Sequence, residues 1–531
     1  MMKNKKLPKI KNLLPFFYGL GLVLFFFIFT IVGFDLSYFP GDLGDGRFNN
    51  YILEHAHLFF TGNIASFWDA PFMYPEPKII TYSDNLLGSA PFYSVFRMVG
   101  LDRETAYQIW FIFVFALNYS CCYFFFNWQF KNKYAAVLGA LVFSCSMAIQ
   151  SQITHAQTFP RFPIPLAFWM AMLFHKNLNP GYFFGTIFFV VYQFYCAIYL
   201  GFFLLVPISI LLLLILLHKK EKLKEQIKDM RWIGLCIGGI FLNMGIFLPL
   251  ILPYIERANS GGMNTYAGII DTIPTIRSFF YSQPGSLFWS KLSAVADDYP
   301  AFWDHQLFVG GVAMVSMLLF SVIVVVKLFK NKKWKKVKVG STTILLFLTT
   351  VVTFILFTRY QGFSFYKLLF NLPGFAAMRS LTRIINVELI FFAFATAYIT
   401  NWLFNAYKKW APLLFIFLAG LLVADNYYKE GTSYRTKKRI AQERVEQLMH
   451  KMQHIPKGSI VSYEPEFEGA SYPYQIDAML AGQSLGLKMI NGYSGTSPYG
   501  YDLCWREMNE EGRLKWLSLN PHVSDSVYVV H

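Results

Sequence analysis

Apolar residues gather into eleven runs long enough to be read as membrane-crossing helices: 13–33, 106–128, 135–153, 160–175, 182–196, 198–217, 232–252, 307–329, 340–358, 384–404 and 410–424. The fifth and sixth form one greasy stretch, 182–217, too long for a single crossing and divided at Tyr195-Cys196-Ala197. The fourth is short and proline-rich, with Pro160, Pro163 and Pro165. In the first long connection, Phe48, Tyr51, Ile52, Ala56, Phe59 and Phe60 recur at helical spacing. They predict an amphipathic helix over Arg47–Phe60 lying at the membrane surface. A second surface helix is expected from near Leu86 toward Arg97, capped by Asp84-Asn85. The aromatic connector Phe67–Pro75 between them suits the headgroup zone. After residue 424 the pattern changes. A charged helix over 433–453, a strand over Ser459–Tyr463, a helix over Tyr474–Leu485 and a turn-rich run, Asn491-Gly492-Tyr493-Ser494-Gly495, predict a small α/β domain. The expected architecture is thus an all-α polytopic membrane part, 1–424, followed by an α/β part, 425–531.

Composition agrees with that pattern. Of 531 residues, 55% are hydrophobic and 15% charged, against roughly 25% charged in soluble proteins. Mean hydropathy is +0.39. A water-soluble enzyme, a disordered chain and a disulfide scaffold are all excluded. Five cysteines (Cys121, Cys122, Cys145, Cys196, Cys236) lie in apolar runs and Cys504 stands alone in the tail, so no zinc spacing is present.

The formal charge of +16 invites a polyanion partner until its distribution is examined. Segments 1–12, 129–134, 176–181, 218–231, 326–339 and 405–409 alternate with the long connections and hold 23 basic residues. Only Glu221, Glu225 and Asp229 oppose them. The rest of the chain carries 24 basic and 28 acidic residues. This is the positive-inside pattern. It predicts a cytoplasmic N-terminus after an uncleaved signal anchor, an extracytoplasmic C-terminus, and no nucleic-acid binding.

The chemistry then gathers on the outward side. Asp42 and Asp45 follow the first run directly; either can act as a general base or metal ligand, or serve a turn and cap a helix. Glu54, His55 and His57 read as ordinary residues of the surface helix. The turn Gln152–Arg161 carries more polar side chains than a short connection between greasy helices needs, which singles out His155 and Arg161. Segment 359–384 contains Arg359, Lys367, Arg379 and Arg383 and no acid. Arg379 and Arg383, four apart, are expected on one face of the helix entering the tenth run. Two guanidiniums there suit a phosphate held by bidentate hydrogen bonds, or a generic anionic lipid surface. Inside the runs, Glu388 is the main ionisable residue.

This layout resembles the GT-C superfamily of membrane glycosyltransferases. Local strings extend the likeness to bacterial members, including those that glycosylate teichoic acids and lipids: Gly41-Asp42, Asp45-Gly46-Arg47, Ser83-Asp84-Asn85-Leu86-Leu87-Gly88, Pro373-Gly374-Phe375 leading to Arg379-Ser380-Leu381-Thr382-Arg383, and Asn491–Gly495. No W-W-D-Y-G string of the oligosaccharyltransferase type occurs. The resemblance implies sugar transfer from a polyprenyl-phosphate-linked donor to a glycan, lipid or polymer acceptor on the outer face of a bacterial cytoplasmic membrane. It implies Asp42 or Asp45 as the catalytic acid of the first loop, with Mg or Mn as a candidate ion between them, and Arg379 and Arg383 at the donor phosphate. His155 joins the candidate catalytic residues, and Arg47, Asp84 and Arg161 the candidate substrate-binding ones. The competing readings are a multi-pass transporter or lipid flippase that binds anionic lipid through the same arginines, and a non-catalytic membrane scaffold.

Overall fold

The computed structural model describes residues 13–261, 263–295, 298–329, 340–428, 435–523 and 525–531. The lysines of the basic N-terminus (Lys3, Lys5, Lys6, Lys9, Lys11), residues 330–339 of one basic connection, residues 433–434 of the charged tail stretch, Gly262 and Asp297 lie outside them.

Every one of the eleven apolar runs is helical. Among the described residues, seven helices are long and apolar enough to cross a membrane: Leu14–Val32, Arg103–Phe130, Lys133–Gln150, Ile198–His218, Met230–Asn259, Gly311–Leu328 and Leu381–Ala406. The chain is a multi-pass membrane protein. The other four fall short: Pro163–Asn177 has 15 residues, Pro180–Cys196 has 17, Ser341–Phe357 has 17 and Ala411–Asp425 has 15. At 1.5 Å per residue, 15 to 17 residues rise roughly 22–26 Å, less than a hydrocarbon core of about 30 Å.

The helices differ sharply in surroundings. Ile385–Ala406 is buried along most of its length and packs against Lys133–Cys145 and Gly311–Phe329. Glu388 lies on it, fully buried, with neither carboxyl oxygen hydrogen-bonded among the described residues. Met230–Asn259 is the opposite case, with only Asn243 and Leu250 buried and a long outer stripe including Leu235, Phe241, Leu248 and Leu252. Apolar side chains left open over such a length require lipid as their solvent.

The stretch 182–217 breaks at Ala197, which is extended (φ −164°, ψ 127°) between the helices Pro180–Cys196 and Ile198–His218. The break is stapled by the string Asp84–Gly88. Asp84 Oδ1 accepts from the Ile198 amide at 2.6 Å, Asn85 Nδ2 donates to the Phe194 carbonyl at 3.1 Å, and the Gly88 amide donates to the Tyr195 carbonyl at 2.6 Å. A Cβ at Gly88 would stand 2.8 Å from the Cys196 amide nitrogen, so the close approach needs glycine. Asp84 therefore caps a distant helix, not the neighbouring one expected from its position. The neighbouring helix starts later, at Ala90, and runs to Met98. Burial drives the Asp84 carboxyl upward to about 6, against the opposing pull of the Arg383 charge and the Ile198 and Tyr199 amides.

The helix Asp45–Phe60 also departs from its expectation. It is no surface helix: Gly46 through Ala56 are all buried, and its polar side chains are paired from several directions. Asn49 Nδ2 donates to Gln157 at 2.9 Å, and Glu54 accepts from Tyr93 at 2.6 Å and from Arg97 Nε at 2.7 Å. His55 is bonded to the Phe67 carbonyl at 3.0 Å and, held by burial at a pKa of about 4, stays neutral. The periodicity marks one apolar face, but the polar face is covered as well, by Gln157, by Tyr93 and Arg97, and by Asp477 of the tail.

That tail carries a parallel sheet in the order Lys488–Met489, Ile460–Tyr463, Val527–Val530. Helix Lys438–Met452 packs on Tyr472–Leu485, which in turn contacts Asp45–Phe60. Strand Arg435–Lys437 pairs antiparallel with Tyr38–Pro40 just before the site. The connector Phe67–Pro75 runs beside Met489: the Met489 amide donates to Pro71, and the Tyr74 amide returns a bond to Met489 at 3.0 Å. Its Phe67, Phe72 and Met73 are buried in the protein.

Replacing Asp84 with alanine orphans the Ile198 amide at the helix break and is expected to cost about 1–2 kcal/mol. Asp84→Asn, whose amide oxygen still accepts, is expected to cost far less. Thermal unfolding of the purified protein in detergent checks the difference; equal melting temperatures for the two variants contradict the staple.

Candidate functional site

One cavity of about 390 Å³ opens on the face that bears the long connections. It collects residues from seven parts of the chain: Asp45 and Phe48; Thr81 to Asp84; Gln157; Ile198, Tyr199 and Phe202; the end of Met230–Asn259 with Arg257; Arg379 and Arg383; and Tyr493. One wall is apolar (Phe202, Ile251, Ile255, Met263, Pro373), and the exposed helix Met230–Asn259 supplies part of it. The other wall holds the charges.

Asp45 opens its helix at the first position, after Gly44, which supplies the non-helical backbone of the cap (φ −101°, ψ −115°). Asp45 therefore caps nothing with its side chain, and its carboxylate is spent elsewhere. Oδ2 accepts from His155 Nδ1 at 2.7 Å and Oδ1 accepts from the Tyr493 hydroxyl. Burial alone raises its pKa. The bond and charge of His155, the bond from Tyr493 and the charge of Arg383 outweigh that and leave it below the ordinary aspartate value. Asp45 is thus a held, ionised carboxylate at a cavity wall.

Asp42 behaves differently. Its Oδ1 accepts from the Gly44 amide at 2.9 Å, closing the local turn, and it is not part of the cavity lining. Burial and the nearby Asp45 charge raise its pKa. Among the described residues no group of three or more His, Cys, Asp or Glu side chains stands together as metal donors. Both Asp45 oxygens are already engaged, and a Mg or Mn ion seeks six oxygen ligands. An ion between Asp42 and Asp45 would share the Asp45 oxygens with His155 and Tyr493.

His155 is positioned by a buried framework. Asn118, inside the helix Arg103–Phe130, donates to the Phe159 carbonyl at 2.8 Å and accepts from the Arg161 amide at 3.1 Å. Arg161 is wholly buried; its guanidinium donates to the Phe143 carbonyl at 3.1 Å and lies over the Phe143 ring. It completes the end of Lys133–Cys145 and is not among the residues lining the cavity. The excess of polar side chains in this turn is real, and most of it holds the turn in place.

Arg47 is likewise elsewhere. Its Nη1 pairs with Asp477 at 2.7 Å, both side chains buried, and Asp477 also meets Arg444 Nε at 2.8 Å. This ion pair joins the helix Asp45–Phe60 to the tail, and Arg47 does not line the cavity.

Arg379 and Arg383 do meet in the cavity, though not by sharing a helix face. Arg379 precedes the helical turn Leu381–Ile384, its amide donating to the Tyr199 hydroxyl at 3.3 Å, and its side chain is exposed. Arg383 sits in that turn with its guanidinium 5.8 Å from the Tyr199 ring centre. Its Nε is buried without a hydrogen-bond partner, and among the described residues neither arginine is in an ion pair. Both donor sets are therefore available to an anion. Arg257, stacked 4.0 Å from the Tyr82 ring centre, adds a third positive charge. Sequence reasoning passed over Arg257, Tyr199 and Tyr493. The signal for Arg257 is its place just beyond the seventh apolar run; Tyr493 lay inside a string already noticed for its turns.

No protein-family model matches the chain, and no curated protein matches it. Among solved structures, the oligosaccharyltransferase of Archaeoglobus fulgidus in its apo form is similar at 10% identity, with a TM-score of 0.46 over 91% of this chain and 65% of that one. The archaeal oligosaccharyltransferase AglB from the same organism, in complex with an inhibitory peptide and a dolichol-phosphate, gives 12% identity, a TM-score of 0.47 and coverage of 91% and 64%. The chain spans slightly under two thirds of the length of these enzymes.

Arg47→Met removes the partner of a buried carboxylate and is expected to destabilise the protein by about 3 kcal/mol. It loosens the tail without reaching the cavity. Limited proteolysis is expected to release fragments from 435–531 faster than in the wild type; an unchanged digestion pattern contradicts the joining role.

Proposed function

We propose that this protein is a membrane glycosyltransferase of the GT-C type. It moves a sugar from a polyprenyl-phosphate-linked donor to a hydroxyl acceptor at the extracytoplasmic face of a bacterial cytoplasmic membrane. The eleven helices span or enter that membrane, the N-terminus is cytoplasmic, and residues 425–531 form an extracytoplasmic unit. The observation that carries the reading is the single cavity where ionised Asp45 faces Arg379 and Arg383, beside an apolar wall continuous with a lipid-exposed helix.

The chemistry follows from those parts. The prenyl chain lies against the apolar wall of Met230–Asn259, and its phosphate is held by Arg379 and Arg383, with Arg257 adding charge at the rim. The acceptor oxygen attacks the anomeric carbon as the bond from that carbon to the phosphate oxygen breaks. Asp45 accepts the proton lost by the acceptor hydroxyl, and the departing phosphate keeps the bonding electron pair, stabilised by the guanidiniums. Attack opposite the leaving group inverts the anomeric centre. Arg379, Arg383 and Arg257 supply positive charge at the phosphate. Glu388 is the main ionisable group deep inside the helices and lies one turn from Arg383, an arrangement poorer in midplane charge than a coupled transporter needs.

Cells lacking the protein, complemented with wild type or variants, provide the test, with mass spectrometry of membrane glycolipids and cell-envelope polymers as readout. A glycosylated species is expected with the wild type, absent with Asp45→Asn, and reduced more by Arg379→Ala than by Arg379→Lys. Full product with Asp45→Asn in an inserted, folded protein overturns the reading.

A further inference from the structure

The tail brings Tyr493, Gly495 and Thr496 to the cavity. Tyr493 donates its hydroxyl to Asp45 Oδ1, the oxygen that His155 leaves open, and its ring lines the cavity. Everything around it fixes that position. Its ring is edge-on to Phe48 at 5.4 Å and 6.1 Å from Tyr472, and the amide of the preceding Gly492 donates to the buried Gln475 side chain at 3.0 Å. A Cβ at Gly492 would stand 2.3 Å from Met73 Cγ, so the loop is seated on the first connection with no spare room. The Met73 amide donates to Asn491 at 3.0 Å and closes the same seat.

We propose that Tyr493 is a positioning residue of the transfer site, locking the Asp45 carboxylate through the oxygen His155 does not hold and making the tail part of the catalytic machinery. The inference rests on the glycosyltransferase reading above. A carboxylate held by one donor can swing about its last bond; two donors, one on each oxygen, fix which oxygen edge faces an incoming hydroxyl. The two bonds also set its basicity, because a hydrogen bond to the ionised form favours ionisation. The other charged or titratable groups around Asp45 are Asp42 on the preceding turn, His155, Arg383, Tyr107 from the helix Arg103–Phe130, and Tyr472 from the tail; Arg379 reaches Tyr493 itself. Of these, only His155 and Tyr493 hydrogen-bond the Asp45 carboxylate among the described residues.

The sign of the effect is fixed. With Tyr493 in place the Asp45 pKa lies below its ordinary value, so the ionised base persists as pH falls. Removing the phenol donor raises that pKa, and the base is lost at higher pH.

The test is infrared titration of the full-length protein in lipid nanodiscs, taking the wild-type minus Asp45→Asn difference as the Asp45 carboxylate signal. In Tyr493→Phe the midpoint is expected to rise by about one pH unit, and the acid limb of product formation in membranes to move with it. Incorporation of 3-fluorotyrosine at 493, a stronger donor of nearly the same shape, is expected to move the midpoint down, which keeps the test decisive if Tyr493→Phe folds poorly. Tyr472→Phe, which alters a neighbour that makes no bond to Asp45, leaves the midpoint unchanged. An unmoved midpoint with fluorotyrosine, or in folded Tyr493→Phe, overturns the inference even if activity falls. Full product from Asp45→Asn overturns the transferase reading instead, and leaves the titration result standing.

Discussion

The arrangement depends on one carboxylate and its two hydrogen bonds. Asp45 is met by His155 from the turn after the third apolar run and by Tyr493 from almost 450 residues further along the chain. Neither bond survives unless three separate structures are in register: the helix that Asp45 opens, the turn pinned by Asn118 and Arg161, and the tail loop seated on Met73. A half-buried anion without such partners would protonate or turn to solvent. The ionised state at the cavity wall is therefore a consequence of tertiary packing, and it gives the cavity a base opposite its arginines.

A second constraint fixes the arginine side. The helix break at Ala197 brings Tyr199 to the cavity, where its hydroxyl meets the Arg379 amide and its ring underlies Arg383. That break exists because Asp84, Asn85 and Gly88 satisfy the backbone groups the two helices leave open there. Asp84 also shares the field of Arg383. The string Ser83–Gly88 thus connects the geometry of the membrane helices to that of the charged wall. Arg47, paired with Asp477, does the corresponding work between the first helix of the site and the tail.

What the sequence showed and what it hid divide along physical lines. The apolar runs were legible because burial in lipid demands length and continuity, and the break at Tyr195-Cys196-Ala197 was legible because no single crossing is that long. The turn around His155 and the acid-free arginine segment stood out as polar groups where greasy surroundings penalise them. Partners distant in sequence were not legible. The amphipathic pattern of Asp45–Phe60 gave one apolar face, but nothing local reveals that Asp477, Gln157 and Arg97 cover the other. Arg47 and Arg161 looked like ligand-binding cations because an unpaired arginine in such places would need an anion; the structure supplies Asp477 to one and backbone carbonyls to the other. The spacing of Arg379 and Arg383 suggests one helix face, whereas Arg383 sits in the turn Leu381–Ile384 and Arg379 in the irregular chain before it.

The claim that a lipid phosphate sits across from Asp45 is tested most directly by an electron cryomicroscopy structure of the full chain in nanodiscs containing a polyprenyl phosphate. The account predicts phosphate density within about 3 Å of the Arg379 and Arg383 guanidiniums, with the prenyl chain along Met230–Asn259 and Asp45 still held by His155 and Tyr493. Phosphate bound at another site, with both arginines unengaged, would contradict it.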